Sequence, residues 1–107
     1  MTPPRITRHV LAVVKVLLDD PPGAHYGLDV ARQAGLKVTS VYAVLLRLEG
    51  AGWLTSHWEE LDPGEAGRPR RRLYRLTNLG TVQARDALRE AQQQLGAVPE
   101  AKPGWVT

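Results

Sequence analysis

Two groups of side chains in this sequence are suited to chemistry with a polyanion. The first is Arg68, Arg70, Arg71 and Arg72, closely spaced guanidinium groups after a stretch holding Pro63, Gly64 and Gly67. A guanidinium offers a planar fork of donors that meets phosphate oxygens and can enter a minor groove. The second is Lys37, Thr39, Ser40, Tyr42 and Arg47, a hydroxyl-rich start with basic residues at either end. Small polar groups at the start of a helix can reach base edges in a major groove. An arginine run is often only a solvated face, and an amphipathic helix only a surface helix. The DNA reading rests on the two groups flanking each other. Glu59, Glu60, Asp62 and Glu65 precede the arginines. They are expected to point away from phosphates, or to hold the arginines when DNA is absent.

Other chemistries find little support. There is no cysteine, which excludes disulfides, thiolate metal sites and cysteine nucleophiles. His9, His25 and His57 lie far apart, without metal-type spacing. There is no phosphate-cradling glycine loop and no GxSxG motif. Catalysis, a metal and a cofactor are therefore not expected. The chain has 107 residues, near the usual size of one domain, with net charge +3 and pI about 9.7. That balance favours a polyanionic partner without proving one. No apolar run approaches the ~18 residues of a membrane span, and no signal-type cleavage region follows the first apolar stretch, so a cytoplasmic location is expected.

The elements that must position these groups follow from periodicity. Ile6, Val10, Val13, Val14 and Leu17 form one helical stripe, widened by Leu11 and Leu18, until Asp19–Asp20–Pro21–Pro22–Gly23 stops it. Two apolar faces suit a central core helix, or one face for the core and one for a partner chain. His25 to Gly35 reads as a second helix closing at Gly35. Residues 37–49 form the third, with Val41, Val44, Leu45 and Leu48 on one face, Thr39 or Ser40 as its cap, and Gly50 and Gly52 ending it. The short link between the last two makes a helix-turn-helix. Trp53 to Trp58 and Arg72 to Thr77 alternate as strands around a flexible loop, giving a β-hairpin. Asn78 to Leu95 is a last helix capped by Thr77 or Asn78, with Ala84, Leu88, Ala91 and Leu95 on one face. With Ile6, Val10, Val13 and Leu17 these are the candidate dimer residues. Residues 96–107, including Trp105, read as a flexible tail.

In this order the chain resembles the PadR family of winged-helix transcription regulators, in its compact type. The resemblance rests on His25-Tyr26-Gly27-Leu28, then Thr39-Ser40-Val41-Tyr42 with Leu45, Leu48, Glu49 and Gly52. It continues in Gly67-Arg68-Pro69, Tyr74-Arg75-Leu76-Thr77 and Gly80. It implies an α+β fold: a winged helix-turn-helix over 1–77, with three N-terminal helices and a two-stranded β-hairpin wing, followed by a C-terminal dimerisation helix over 78–95. It also implies a homodimeric repressor on a near-palindromic double-stranded operator. Tyr42, Thr39 and Ser40 would face DNA, and Arg68, Arg70 and Arg71 would sit on the wing. The implied partners include a small aromatic effector. Compact drug-sensing relatives carry a tryptophan on the last helix, however, and residues 78–95 have none. Ala43 and Leu46 are apolar where relatives often have polar groups. The alternative is a winged-helix module that docks on protein without specific DNA binding.

Overall fold

The computed structural model describes residues 3–96. The expected tail, with Trp105, lies outside them, and so does the side chain of Leu95. The elements in order are α1 (Arg8–Leu17), β1 (His25–Tyr26), α2 (Gly27–Ala34), α3 (Val38–Gly50), β2 (Leu54–Trp58), α4 (Pro63–Ala66), β3 (Arg72–Leu76) and α5 (Asn78–Gly96).

Helix α1 begins two residues later than the apolar stripe suggested. Thr7 caps it, its hydroxyl accepting the Val10 N–H at 3.2 Å. Ile6 therefore lies outside the helix, exposed. Val10, Val13, Val14 and Leu17 are fully buried and Val16 nearly so. Both apolar faces are used inside the chain, because α1 packs on α2, α3 and α5 at once. Val10, Val13 and Leu17 thus belong to the core and offer no surface to a second chain, contrary to the expected interface. Ala84, fully buried on α5, is corrected for the same reason.

Helix α2 also starts later than expected. His25 and Tyr26 are extended and pair antiparallel with Tyr74 and Leu73 of β3. The sheet therefore has three strands in the order β1-β3-β2, where a two-stranded hairpin was expected. The central β3 pairs with β2 from Leu54↔Leu76 to Trp58↔Arg72. Gly35, at φ 69, closes α2 in the left-handed region, which glycine enters without steric cost. Helix α3 begins at Val38 with Lys37 at its N-cap and no side-chain cap. Thr39 and Ser40 sit within the first turn, so neither is the cap. Its buried face is Val41, Val44, Leu45 and Leu48, as periodicity predicts.

The loop between the wing strands contains one short turn of helix, α4. Asp62 caps it by accepting the Gly64 N–H at 2.9 Å, and Pro63 fills the first position, where its missing N–H costs nothing. Helix α5 starts on the expected Thr77 cap, whose Oγ1 accepts the Gly80 N–H at 2.9 Å. The Thr77 N–H donates to the Trp53 carbonyl at 2.9 Å, and the Thr77 hydroxyl donates to the Gly52 carbonyl at 2.7 Å. These bonds fasten the start of α5 to the chain leaving α3. The core that results is almost wholly valine and leucine, with Trp53, Tyr74 and a few alanines at its margin.

Candidate nucleic-acid interface

Helix α3 presents its outer face between two basic flanks. At 3.6 residues per turn, Thr39, Ala43 and Leu46 fall opposite the buried stripe, and Leu46 is 72% exposed. Ser40, Ala43 and Arg47 turn toward the start of α1, where they line a shallow hollow with Thr7, Arg8 and His9. Tyr42 turns the other way, toward the wing, and is about half-exposed. Its ring lies against Gly27: a Cβ there would come within 2.6 Å of the ring. The first residue of α2 is therefore bare of side chain where the tyrosine rests. Lys37 is exposed at the helix start.

The wing side is more elaborate. Glu59 is its hub. Its carboxylate accepts two bonds from Arg68 (Nη1 at 2.7 Å, Nη2 at 3.1 Å), the Arg71 backbone N–H at 2.8 Å and the Tyr26 hydroxyl at 3.0 Å. These ties join both ends of the wing loop to β1. The Glu59 side chain is only 9% exposed, against 35% for Arg68. The Arg68 guanidinium, followed by the Arg71 N–H and the Tyr26 hydroxyl, outweighs the cost of burial and holds the carboxyl at about 2, below its ordinary 4.5. A depressed carboxyl pKa gives stability that is full above about 4.5 and is lost as pH falls toward about 2. Acid titration should therefore loosen the wing in that window, read by exchange of the Arg71 amide in NMR. Glu59→Gln should flatten the response; an unchanged acid transition in that variant would contradict the hub.

A second set of bonds couples the wing to α3. Arg72 Nε donates to Ser56 Oγ at 3.0 Å, and Ser56 Oγ donates to Glu49 Oε2 at 2.5 Å. The Arg72 guanidinium lies over the Trp58 ring at 5.0 Å, and that of Arg71 over Tyr26 at 4.8 Å. Arg70 is exposed, with Nε donating to the Leu61 carbonyl at 2.9 Å. The expected wing arginines thus divide. Arg70 and Arg71 are exposed, whereas Arg68 is engaged by Glu59 as one of the arginines an acidic residue was expected to hold.

Between α3, the start of α2 and the sheet lies a cleft of about 540 Å³. Tyr26, Tyr42, Trp58 and Tyr74 line it together with Arg32 and Arg70 to Arg72. Burial is the main reason the Tyr74 hydroxyl titrates above its ordinary value, and the neighbouring Tyr42 and Glu49 add to this. Sequence reasoning placed Tyr42, Arg70 and Arg71 here, but not Arg32, Arg72 or Trp58 as site residues. The arginine run included Arg72; nothing in the sequence brought Arg32 near it. Arg8 and His9, beside Arg47, were not among the expected site residues.

A sequence profile described as the transcriptional regulator PadR-like family matches residues 18–86, well over half of the chain. No curated protein sequence matches. The structure is similar to NadR in complex with 4-hydroxyphenylacetate, at 25% identity over 90% of this chain and 62% of that one, with TM-score 0.65. This chain therefore spans less than two thirds of that regulator. The circadian clock associated protein Pex from anabaena is 25% identical over 89% of this chain and 86% of its own, with TM-score 0.60. A PadR family transcription regulator from Clostridium difficile shares the fold at 23% identity, over 87% and 93% of the two chains, with TM-score 0.58.

Proposed function

We propose, from the premise that this chain belongs to the PadR-like family of transcriptional regulators, that it is a homodimeric repressor binding a near-palindromic operator in the cytoplasm. The observation that carries the reading is the placement of α3. Its outer face stands clear between Arg8, His9 and Arg47 on one side and Arg70 to Arg72 on the other. A helix set between two basic flanks can lie in a major groove while the flanks meet phosphates.

In this reading Lys37, Thr39, Ser40 and Tyr42 approach the duplex from the first turns of α3, with Arg47 further along. Ala43 and Leu46 bring apolar surface, which suits contact with thymine methyl groups more than hydrogen-bonded base reading. Sequence preference then owes much to the fit of wing and backbone. Arg70 and Arg71 supply phosphate or minor-groove contacts. Arg68 joins them at the cost of loosening its pair with Glu59, or else holds the wing in shape. No described helix is long and apolar enough to cross a membrane.

The dimer is proposed on the remaining apolar surface. Ile6 is exposed, and Leu88 and Ala91 are half-buried on the later part of α5. Leu95 falls on the same stripe by sequence. Two reader helices about 34–36 Å apart would then enter successive major grooves. Leu88→Glu is expected to give monomers in sedimentation velocity with helix content kept by circular dichroism. Leu88 partly packs on its own core, so Ile6→Glu, at an exposed position, is the companion variant. A dimer unchanged in both would contradict this interface. Binding to DNA from upstream of the protein's own gene, against unrelated DNA of equal length, tests the function as a whole. Release by a small aromatic effector belongs to the same proposal, supported by the relative whose structure holds 4-hydroxyphenylacetate.

A further inference from the structure

We propose that α3 recognises the 5-methyl groups of pyrimidines in the major groove through Thr39, Ala43 and Leu46, and that 5-methylcytosine is accepted there in place of thymine. This rests on the DNA reading above and names the groups on the bases that α3 meets.

The ridge of α3 opposite its buried stripe is Thr39, Ala43 and Leu46, all exposed. The Thr39 hydroxyl is the ridge's only hydrogen-bonding side-chain group. From residue 38 to 50 there is no amide side chain, and the one carboxylate, Glu49, accepts the Ser56 hydroxyl. Ser40 and Arg47 turn toward α1, and Tyr42 toward the wing. The side chains that pair in two-pronged fashion with adenine, and the acidic ones that accept from cytosine, are therefore missing from the ridge. What it presents is a threonine methyl, an alanine methyl and a leucine. They span about 10 Å of helix axis, roughly three base-pair steps. Such side chains meet the one apolar group on the groove edge of the bases, the 5-methyl of thymine.

Charge separates this partner from a protein surface, which an exposed apolar ridge would otherwise suit. Arg8, His9 and Arg47 line the hollow on one side, with no carboxylate among the described residues there. Arg70, Arg71 and Arg72 stand on the other side, where the one lining carboxylate, Asp29, faces Arg32 at 3.5 Å. An apolar strip between two positive banks matches a groove with methyl groups on its floor and phosphates along both rims.

The acceptance of 5-methylcytosine follows from what the ridge lacks. The two pyrimidines carry the same methyl group and differ at position 4, an acceptor oxygen in thymine and a donor amino group in cytosine. Telling them apart requires a fixed donor or a fixed acceptor. A threonine hydroxyl is both, and rotates to suit either. Uracil and unmethylated cytosine, which lack the methyl group, are the bases the ridge discriminates against.

The test begins with selection of an operator by the full chain from a pool of random duplexes. Each thymine that selection fixes is then replaced in both half-sites by deoxyuridine, by cytosine or by 5-methylcytosine, with guanine opposite the last two. Affinities are compared at one salt concentration. At one or more positions deoxyuridine and cytosine should weaken binding about tenfold, the scale of two lost methyl contacts, and 5-methylcytosine should restore the thymine affinity. Leu46→Ala should abolish the methyl preference at one of these positions; Leu46 is 72% exposed, so its truncation leaves the core intact. A preference due to DNA shape alone would survive that variant. An operator with no fixed thymine, deoxyuridine binding as tightly as thymine throughout, or a preference unchanged by Leu46→Ala would overturn methyl recognition and leave the DNA reading standing. Binding to 5-methylcytosine as weak as to cytosine would overturn the exchange. If selection enriches no sequence, the DNA reading itself fails, and methyl recognition with it.

Discussion

Gly80→Ala should destabilise the chain by at least ~3 kcal/mol in urea unfolding, the upper range for forcing volume into a packed site. Two effects oppose each other here. Alanine is the better helix former, and propensity alone would favour the variant by ~1 kcal/mol. The surroundings of Gly80 decide otherwise. A Cβ at that position would stand 2.0 Å from the Trp53 carbonyl oxygen, 2.7 Å from its carbon and 2.8 Å from its Cα. These are backbone atoms and cannot rotate away. The same carbonyl accepts the Thr77 N–H at the start of α5. Relief would require α5 to lift from the chain after α3, uncovering Ala84 and Leu76 and breaking the cap. A variant as stable as the parent, or more stable, would show that α5 is not seated on Trp53.

The second large effect concerns the wing. Arg70→Gln combined with Arg71→Gln should weaken DNA binding ~10- to 100-fold near physiological salt and reduce the log–log salt slope by about 2, since each phosphate contact releases counterions worth ~0.9 in slope. Both side chains are exposed, so the fold should persist. If the arginines were only a solvated face, neither slope nor affinity would move. An affinity loss with an unchanged slope would place them against bases or protein instead of phosphate.

What the sequence made legible was the periodic part. Val41, Val44, Leu45 and Leu48 announced the buried face of α3, and the alternation in β2 and β3 announced the wing. Thr77 declared the start of α5 because its hydroxyl acts on the very next turn. The features that escaped depend on partners distant in the chain. Two residues, His25 and Tyr26, cannot show a strand period; they are a strand because β3 offers them an edge. The two apolar faces of α1 allowed either a core helix or a dimer helix, and only the docking of three other helices around it decided. Glu59 looked like one of several acidic residues. Its role comes from meeting Tyr26, Arg68 and Arg71 together, from positions 33, 9 and 12 residues away. The small helix α4 had a readable signal in Asp62-Pro63, a cap followed by a proline, which Gly64 within it and Gly67 after it obscured.

The most direct measurement is the affinity of the wild-type protein for DNA upstream of its own gene and for unrelated DNA of equal length. Both are titrated from low salt to ~0.15 M. A helix set between two basic flanks in a PadR-like regulator predicts a preference of at least ~10³ for the upstream DNA, with affinity falling steeply as salt rises. Equal and weak binding to both, with little dependence on salt, would contradict specific DNA recognition and favour a winged helix that docks on another protein.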